Sequence, residues 1–139
     1  MAKDNMIAFP LVDTDSGVIV DVECECEIRK IVNKGSHQAR FVAAYEERIR
    51  VLKQYRDKAP SFNPRWFEKL QHIQNASLYS INFAKIGNMR ILYTVSTRII
   101  LLCAFEEREG HGKKRQSYVQ YVPVALKRLE KYEEDHNGT

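Results

Sequence analysis

The chain has 139 residues, of which 44% are hydrophobic and 29% charged; this composition is typical of one globular domain and excludes a disordered tail. No apolar run is long enough to cross a bilayer, and the N-terminus lacks a signal-peptide core, so we expect a cytoplasmic protein with no membrane partner. The net charge of +4 is unevenly distributed, because residues 1–27 carry −6 and residues 28–139 carry +10. A basic body of this kind favours a polyanionic partner.

The first element is predicted to be a β-hairpin, because two apolar runs, IAFPLV and VIVDVECECEI, flank the turn sequence DTDSG. From Val18 to Ile28 apolar residues alternate with acids, which predicts a strand with a buried face and an acidic outer row. We interpret this row as a solvated edge that discourages aggregation; the alternative is that it neutralises a basic groove. Residues 1–17 are expected to form an N-terminal arm.

The cysteines and histidines give no sign of a metal or cofactor. Cys24 and Cys26 alternate on the predicted strand, and Cys103 lies in a later apolar run. None of these pairs has the spacing of metal ligands or of a redox motif, so we expect small core side chains, no metal site and no cofactor.

A helix is predicted next, because apolar residues recur at three- and four-residue steps from Phe41 to Tyr55 and the pattern ends before Pro60. Its other face is basic and includes Arg48. A solvated face is the ordinary explanation of such a row, and contact with RNA is the functional one.

A second helix is predicted to begin with Asn63 as its N-cap and Pro64 at its first position. Trp66 and Leu70 are expected to dock this helix onto the core. The two helices together would cover one face of the sheet.

Three strands follow, at 78–85, 89–96 and 99–106, joined by turns at Gly87-Asn88 and Thr97-Arg98, which predicts an antiparallel meander. A last helix runs to about Glu134, and Pro123 either opens or kinks it. Its predicted apolar face comprises Val122, Ala125, Leu126, Leu129 and Tyr132.

The order of elements predicts an α+β domain over residues 18–135, followed by a tail at 136–139. Its antiparallel β-sheet is expected to consist of the three-strand meander plus an N-terminal strand or hairpin. This sheet would pack, on one face, against two N-terminal helices and one C-terminal helix.

Arg90 is an informative charge because it lies inside the middle strand, on the face shared by Leu92 and Thr94. A buried arginine needs a partner, so this face is expected to be partly open to water. Just beyond the next strand the sequence gathers Lys113, Lys114 and Arg115. Cations so placed suit a phosphate, since RNA cleavage needs a base, an acid and positive charge at the pentavalent phosphate. The alternative is that Arg90 pairs with an acid on a neighbouring strand.

Four blocks occur in a fixed order between residues 28 and 132: SLYSI, MRILY, IILLCAF and YVPVALKRL. Together they resemble the RelE/HigB/ParE toxin superfamily, especially its HigB-like, phage-derived branch. The resemblance implies a RelE-like fold and the toxin of a type II toxin–antitoxin pair, held silent by a cognate helix-turn-helix antitoxin. Most RelE- and HigB-like members cut mRNA on the ribosome without a metal, whereas ParE-like members poison DNA gyrase.

By resemblance, Arg90 matches the strand arginine that binds phosphate in the nucleases of this family. The residues expected to act in catalysis are Arg90, His111, Lys113, Lys114 and Tyr121. The residues expected to bind RNA are Arg48, Arg98, Arg108 and Arg115. His111 can serve as an acid or base but is equally explained as an ordinary loop residue. Tyr118 and Tyr121 can stack on a base or donate a proton, or can simply pack on the sheet.

Two departures from the family pattern support a second hypothesis. The arginine of the first block falls on Asn82, with Ser80 at the position of an acid, and the two lysines after the strand phenylalanine fall on Glu106 and Glu107. The second hypothesis is a non-catalytic binding protein of the same fold, acting on gyrase or another protein, or an inactivated relic. The sequence leaves the oligomeric state open.

Overall fold

The computed structural model describes residues 17–35, 37–107 and 116–137, and these residues form an α+β fold. A 3₁₀ turn at Arg56–Lys58 lies between the second and third helices. The elements in chain order are β1 (Val18–Val20), α1 (Val22–Lys34), α2 (Gln38–Tyr55), α3 (Ala59–Phe62), β2 (Phe67–Lys69), β3 (Tyr79–Phe83), β4 (Met89–Val95), β5 (Ile99–Glu106) and α4 (Gln116–Asn137).

The five strands form one mixed sheet in the order β1-β5-β4-β3-β2. The predicted meander is confirmed, since β3, β4 and β5 pair antiparallel within the predicted ranges. The prediction of a purely antiparallel sheet is wrong, because β1 runs parallel to β5 with Val18 opposite Ile99. A parallel neighbour needs a long crossover, and the segment from α1 to β4 provides it.

The predicted strand over Val18–Ile28 is wrong beyond Val20, because α1 begins at Val22. Asp21 caps this helix: its Oδ1 accepts from the Glu23 amide at 2.9 Å and from the Cys24 amide at 3.1 Å. The residues that α1 buries are Cys24, Ile28 and Val32, spaced four apart as on a helix face.

The acidic outer row predicted for that strand is therefore also wrong. Asp21 is a helix cap, and Glu25 is paired with Arg29 one turn later. Glu27 lies against the sheet, where its Oε1 accepts from the Ala104 amide at 3.0 Å. The first half of the predicted hairpin lies in residues 1–16, outside the described part of the chain.

The helix predicted from Asn63 is replaced by a turn and a short strand. Asn63 Oδ1 does accept from the amides of Arg65 and Trp66, both at 3.2 Å, as an N-cap would. The chain then extends into β2, where Phe67 pairs with Ile81 of β3. Pairing with the sheet thus overrides the local capping signal, which serves a turn equally well.

Helices cover both faces of the sheet, so the prediction that they pack on one face is wrong. α1 and α2 cover one face, where Ile28, Phe41 and Ile49 join a core cluster with Ile91 and Tyr93. α4 covers the other face. Strand β5 is buried from Ile99 to Phe105, as expected of an apolar run packed on both sides.

The predicted apolar face of α4 is confirmed, with Ala125 and Leu129 buried and Val122, Leu126 and Tyr132 packed around them. Pro123 lies inside α4, about two turns from its first residue, so it does not open the helix. Its ring nitrogen carries no hydrogen to donate to the preceding turn.

One side-chain cluster joins α1, β5 and α4 where β1 has ended. Arg128 of α4 donates to both carboxylate oxygens of Glu27, at 3.0 and 2.8 Å, and to the Leu102 carbonyl at 2.9 Å. Leu102 is an extra residue in β5, because Leu92 pairs with Cys103 while Tyr93 pairs with Leu101. Leu102 therefore forms a β-bulge at the edge that Glu27 and Arg128 cover.

Iodoacetamide is expected to alkylate Cys26 in the folded protein and to spare Cys24 and Cys103. Cys26 is exposed and the other two are buried. Burial raises the pKa of Cys103 to about 12, and raises the pKa of Cys24 well above its usual value, so neither forms the reactive thiolate at neutral pH. Peptide fragment spectra locate the label, and urea-unfolded protein, labelled on all three, is the control. Equal protection of Cys24 and Cys26, as a strand requires, would contradict the helix.

Candidate functional site

Arg90 lies near the start of β4, half-buried, on the face that α4 covers. Its cross-strand neighbours are Asn82 on β3 and Phe105 on β5, and neither is an acid. The alternative in which Arg90 pairs with a cross-strand acid is therefore wrong. The face is partly open to water, as expected, because Arg90 is half-buried and Ser96 is exposed, whereas Leu92 and Thr94 between them are buried. Arg90 lies at one end of this face.

Asn88 holds the guanidinium of Arg90. Arg90 Nη1 donates to Asn88 Oδ1 at 3.1 Å and to the Met89 carbonyl at 3.3 Å. No described residue accepts a hydrogen bond from Nε or Nη2 of Arg90. The Nε–Nη2 edge is one of the two-donor edges that bind a carboxylate or phosphate in bidentate fashion. The sequence predicted the Gly87-Asn88 turn, but it carried no signal for this side-chain contact.

An aromatic stack adjoins Arg90 on β5. The Phe105 ring lies parallel to the Tyr121 ring, with centroids 4.7 Å apart and an interplanar angle of 5°. Tyr118 meets the same Phe105 ring edge-on at 5.2 Å, and its hydroxyl lies 2.9 Å from Ser80 Oγ. Tyr118 is buried, so it packs on the sheet, whereas Tyr121 is only partly buried. Phe105 is thus the cross-strand neighbour of Arg90 and also stacks on Tyr121.

Arg48 belongs to the opposite face of the sheet. Its Nε donates to the Asn82 carbonyl at 3.0 Å, and its guanidinium lies 4.4 Å from the Trp66 ring centroid and 4.9 Å from that of Phe83. Asn82 lies beyond the end of the β2–β3 pairing, so its carbonyl uses this side-chain donor instead of a strand. Burial lowers the pKa of Arg48, and the Glu47 carboxylate partly opposes this effect. The guanidinium of Arg48 is thus already bound by groups within the protein.

Arg98 is exposed in the turn between β4 and β5. Strand β4 is seven residues long, about 20 Å, and Arg90 lies near its other end. Arg98 and Arg90 therefore do not form one site.

The remaining predicted site residues are His111, Lys113, Lys114, Arg108 and Arg115, and they lie outside the described residues. They belong to the segment 108–115, which connects Glu107 to Gln116. Glu107 adjoins the Arg90 site, because its amide donates to the Asn88 carbonyl at 2.8 Å and its carbonyl accepts from Asn88 Nδ2 at 2.7 Å.

The positions that depart from the family pattern have structural partners. Glu106 Oε1 accepts from Lys34 Nζ of α1 at 2.9 Å. The backbone amide of Asn82 donates to the Trp66 carbonyl at 2.8 Å, and its side-chain Nδ2 donates to the Arg65 carbonyl at 3.2 Å. Asn82 Oδ1 and Glu107 Oε1 are buried, and neither has a hydrogen-bond partner among the described residues. Neither Asn82 nor Glu106 adds a cation beside Arg90.

Comparisons of the chain with protein-family models, with curated proteins and with solved structures find no match. In the part of the chain that the structure describes, no helix has the length and apolar character needed to span a membrane. Within residues 17–35, 37–107 and 116–137, no three His, Cys, Asp or Glu side chains gather as potential metal ligands.

Replacing Arg48 with methionine is expected to lower the free energy of unfolding by about 1–3 kcal/mol, because the Asn82 carbonyl loses its donor and two rings lose a cation. Urea unfolding measures the change. The control is Arg50→Met on the exposed side of α2, which should shift stability by about 0.5 kcal/mol or less. Equal effects of the two substitutions would show that Arg48 has no structural role.

Proposed function

We propose that this protein is the cytoplasmic toxin of a type II toxin–antitoxin pair and cleaves mRNA on the ribosome without a metal. The observation that carries the proposal is the state of Arg90, a half-buried guanidinium whose described acceptors are neutral and whose Nε–Nη2 edge has no acceptor among them. Neutral acceptors do not cancel the positive charge of the guanidinium, so this charge is available to an anionic ligand.

The position of the four family-like blocks also supports the proposal. SLYSI, MRILY and IILLCAF fall on or immediately before β3, β4 and β5, which are neighbours in the sheet, and YVPVALKRL falls in α4. The elements that carry the resemblance therefore surround Arg90. A RelE-like fold is part of this proposal.

In the proposed reaction the 2′-hydroxyl of one nucleotide attacks the adjacent phosphate, the 5′-oxygen of the next nucleotide leaves, and a 2′,3′-cyclic phosphate forms. Arg90 would stabilise the charge of the pentavalent phosphate. Tyr121 would donate a proton to the leaving oxygen or stack on a base. His111, Lys113 and Lys114 are proposed to supply the base and further cations, with Arg108 and Arg115 binding the RNA chain.

The proposed partner that silences the toxin is a helix-turn-helix antitoxin. Its presence would explain how a cell tolerates such a nuclease. The body of the chain is basic, at +10 over residues 28–139, which suits both an acidic antitoxin segment and RNA.

A second candidate function is a non-catalytic binding protein of the same fold that acts on gyrase or another protein. The pairing of Glu106 with Lys34 favours it, because this family position is here committed to an ion pair with α1. The hydrogen bonds of Asn82 favour it for the same reason.

Synthesis of the protein in a cell-free translation reaction is expected to stop production of a reporter and to cut its mRNA within ribosome-bound regions. Arg90→Ala should lower the cleavage rate about a hundredfold, because one cation at the transition state is lost. Arg50→Ala, which removes an exposed arginine of α2, is the matched control and should cleave at the wild-type rate. Sequencing of the mRNA 5′ ends measures both rates.

Two other outcomes separate the candidates. Arrest of reporter synthesis or of cell growth with intact mRNA would favour the binding protein. Normal synthesis and normal growth, unaffected by a neighbouring helix-turn-helix protein, would contradict a toxin of either kind.

A further inference from the structure

We infer that Asn88 is a positioning residue for Arg90, which holds the guanidinium by Nη1 so that its Nε–Nη2 edge receives two oxygens of one phosphodiester. This inference rests on the proposed function, since it specifies how the same site takes its substrate. Asn88 does not need to touch the substrate to act in this way.

The contacts of Asn88 divide its amide between two partners. Asn88 Oδ1 accepts from Arg90 Nη1 at 3.1 Å, and Asn88 Nδ2 donates to the Glu107 carbonyl at 2.7 Å. Because Nδ2 is bound to a carbonyl, Oδ1 necessarily faces the arginine, and the amide orientation is fixed. The Asn88 carbonyl also accepts from the Glu107 amide at 2.8 Å. Asn88 thus connects Arg90 to the end of β5.

A neutral acceptor is the suitable partner for a phosphate-binding arginine. A carboxylate at the same distance would hold the guanidinium equally well but would cancel its charge, and the anion would then bind weakly. An amide oxygen orients Nη1 and leaves the charge. The unused Nε and Nη2 hydrogens are parallel, which matches two non-bridging oxygens of a phosphodiester.

The backbone of Asn88 has φ +49°, and Gly87 before it has φ +62°. Asparagine tolerates this left-handed conformation but glycine fits it better, so the turn alone does not require a side chain at residue 88. The simple alternative is that Asn88 is only a turn residue. Glycine at this position therefore separates the two explanations, because it keeps the turn and removes both side-chain bonds.

The test measures binding of a short, fluorescently labelled single-stranded RNA by anisotropy, and its cleavage on ribosomes, for four variants. Asn88→Gly should lower RNA affinity or cleavage rate about fivefold to tenfold, the value of one oriented hydrogen bond. Asn88→Asp should reduce both as strongly as Arg90→Ala, because a carboxylate replaces the neutral oxygen 3.1 Å from Nη1. The matched control is Asn75→Gly, which replaces another left-handed asparagine (φ +68°) in the loop at the other end of β3.

A double-mutant cycle distinguishes positioning from a general structural effect. Asn88→Gly should change nothing further in a protein that already carries Arg90→Ala, because the residue it positions is gone. Additive losses, or an Asn88→Gly protein with wild-type affinity and rate, would overturn the inference. If Asn88→Gly does not fold, Asn88→Asp decides, and wild-type behaviour of that variant overturns the inference. If Arg90→Ala itself has no effect, the proposed function fails, independently of Asn88.

Discussion

The backbone groups along the outer edge of β5 need hydrogen-bond partners, but β1 pairs with only three residues of this edge. The rest of the structure depends on the groups that bond to the remainder of the edge. Beyond β1 the Ala104 amide donates to Glu27, the Leu102 carbonyl accepts from Arg128, and Glu27 and Arg128 pair with each other at 2.8 Å. A buried edge without these partners would leave unpaired polar groups, each costing about 1–3 kcal/mol. The hydrogen bond with Glu27 also raises the pKa of Arg128, so this residue stays charged. Two side chains, from helices on opposite faces of the sheet, thus form the hydrogen bonds that a further strand would form at this edge.

The bulge at Leu102 determines which side chains reach the Arg90 site. Leu101 faces α1 and α2, and in an unbroken strand Phe105 would face the same way, four residues later. The extra residue Leu102 reverses the alternation, so Phe105 faces α4 and lies beside Arg90. Glu27 and Arg128 bond to the bulge itself and to Ala104 after it. The contacts that close the edge therefore also set the register that brings Phe105, Tyr121 and Arg90 together.

The sequence allowed the meander and the stripe of α4 to be predicted because their hydrophobic periods are unambiguous. It failed at Val18–Ile28, where Cys24 and Ile28 fit a helical spacing of four as well as the alternation of a strand; the capping role of Asp21 decides between them. It failed again at Asn63, whose cap serves a turn as well as a helix. The role of Arg90 as a site residue stays a prediction. The sequence carried no signal for its neutral partner, because side chains two residues apart on a strand share a face without necessarily touching. Arg48 and Glu27 have roles that depend on backbone groups far away in sequence, which no local pattern records.

The central claim is that Arg90 keeps a charged, two-donor edge for a phosphate, and it can be measured without knowing the RNA substrate. Nuclear magnetic resonance resolves the Nε–Hε signals of individual arginines, so the protein can be titrated with inorganic phosphate at constant ionic strength. The signal of Arg90 is expected to move and saturate, whereas Arg48 and Arg128, whose guanidinium groups are bonded within the protein, stay in place. Exposed Arg98 reports the non-specific effect of the anion. An Arg90 signal that moves no more than that of Arg98 would contradict the account.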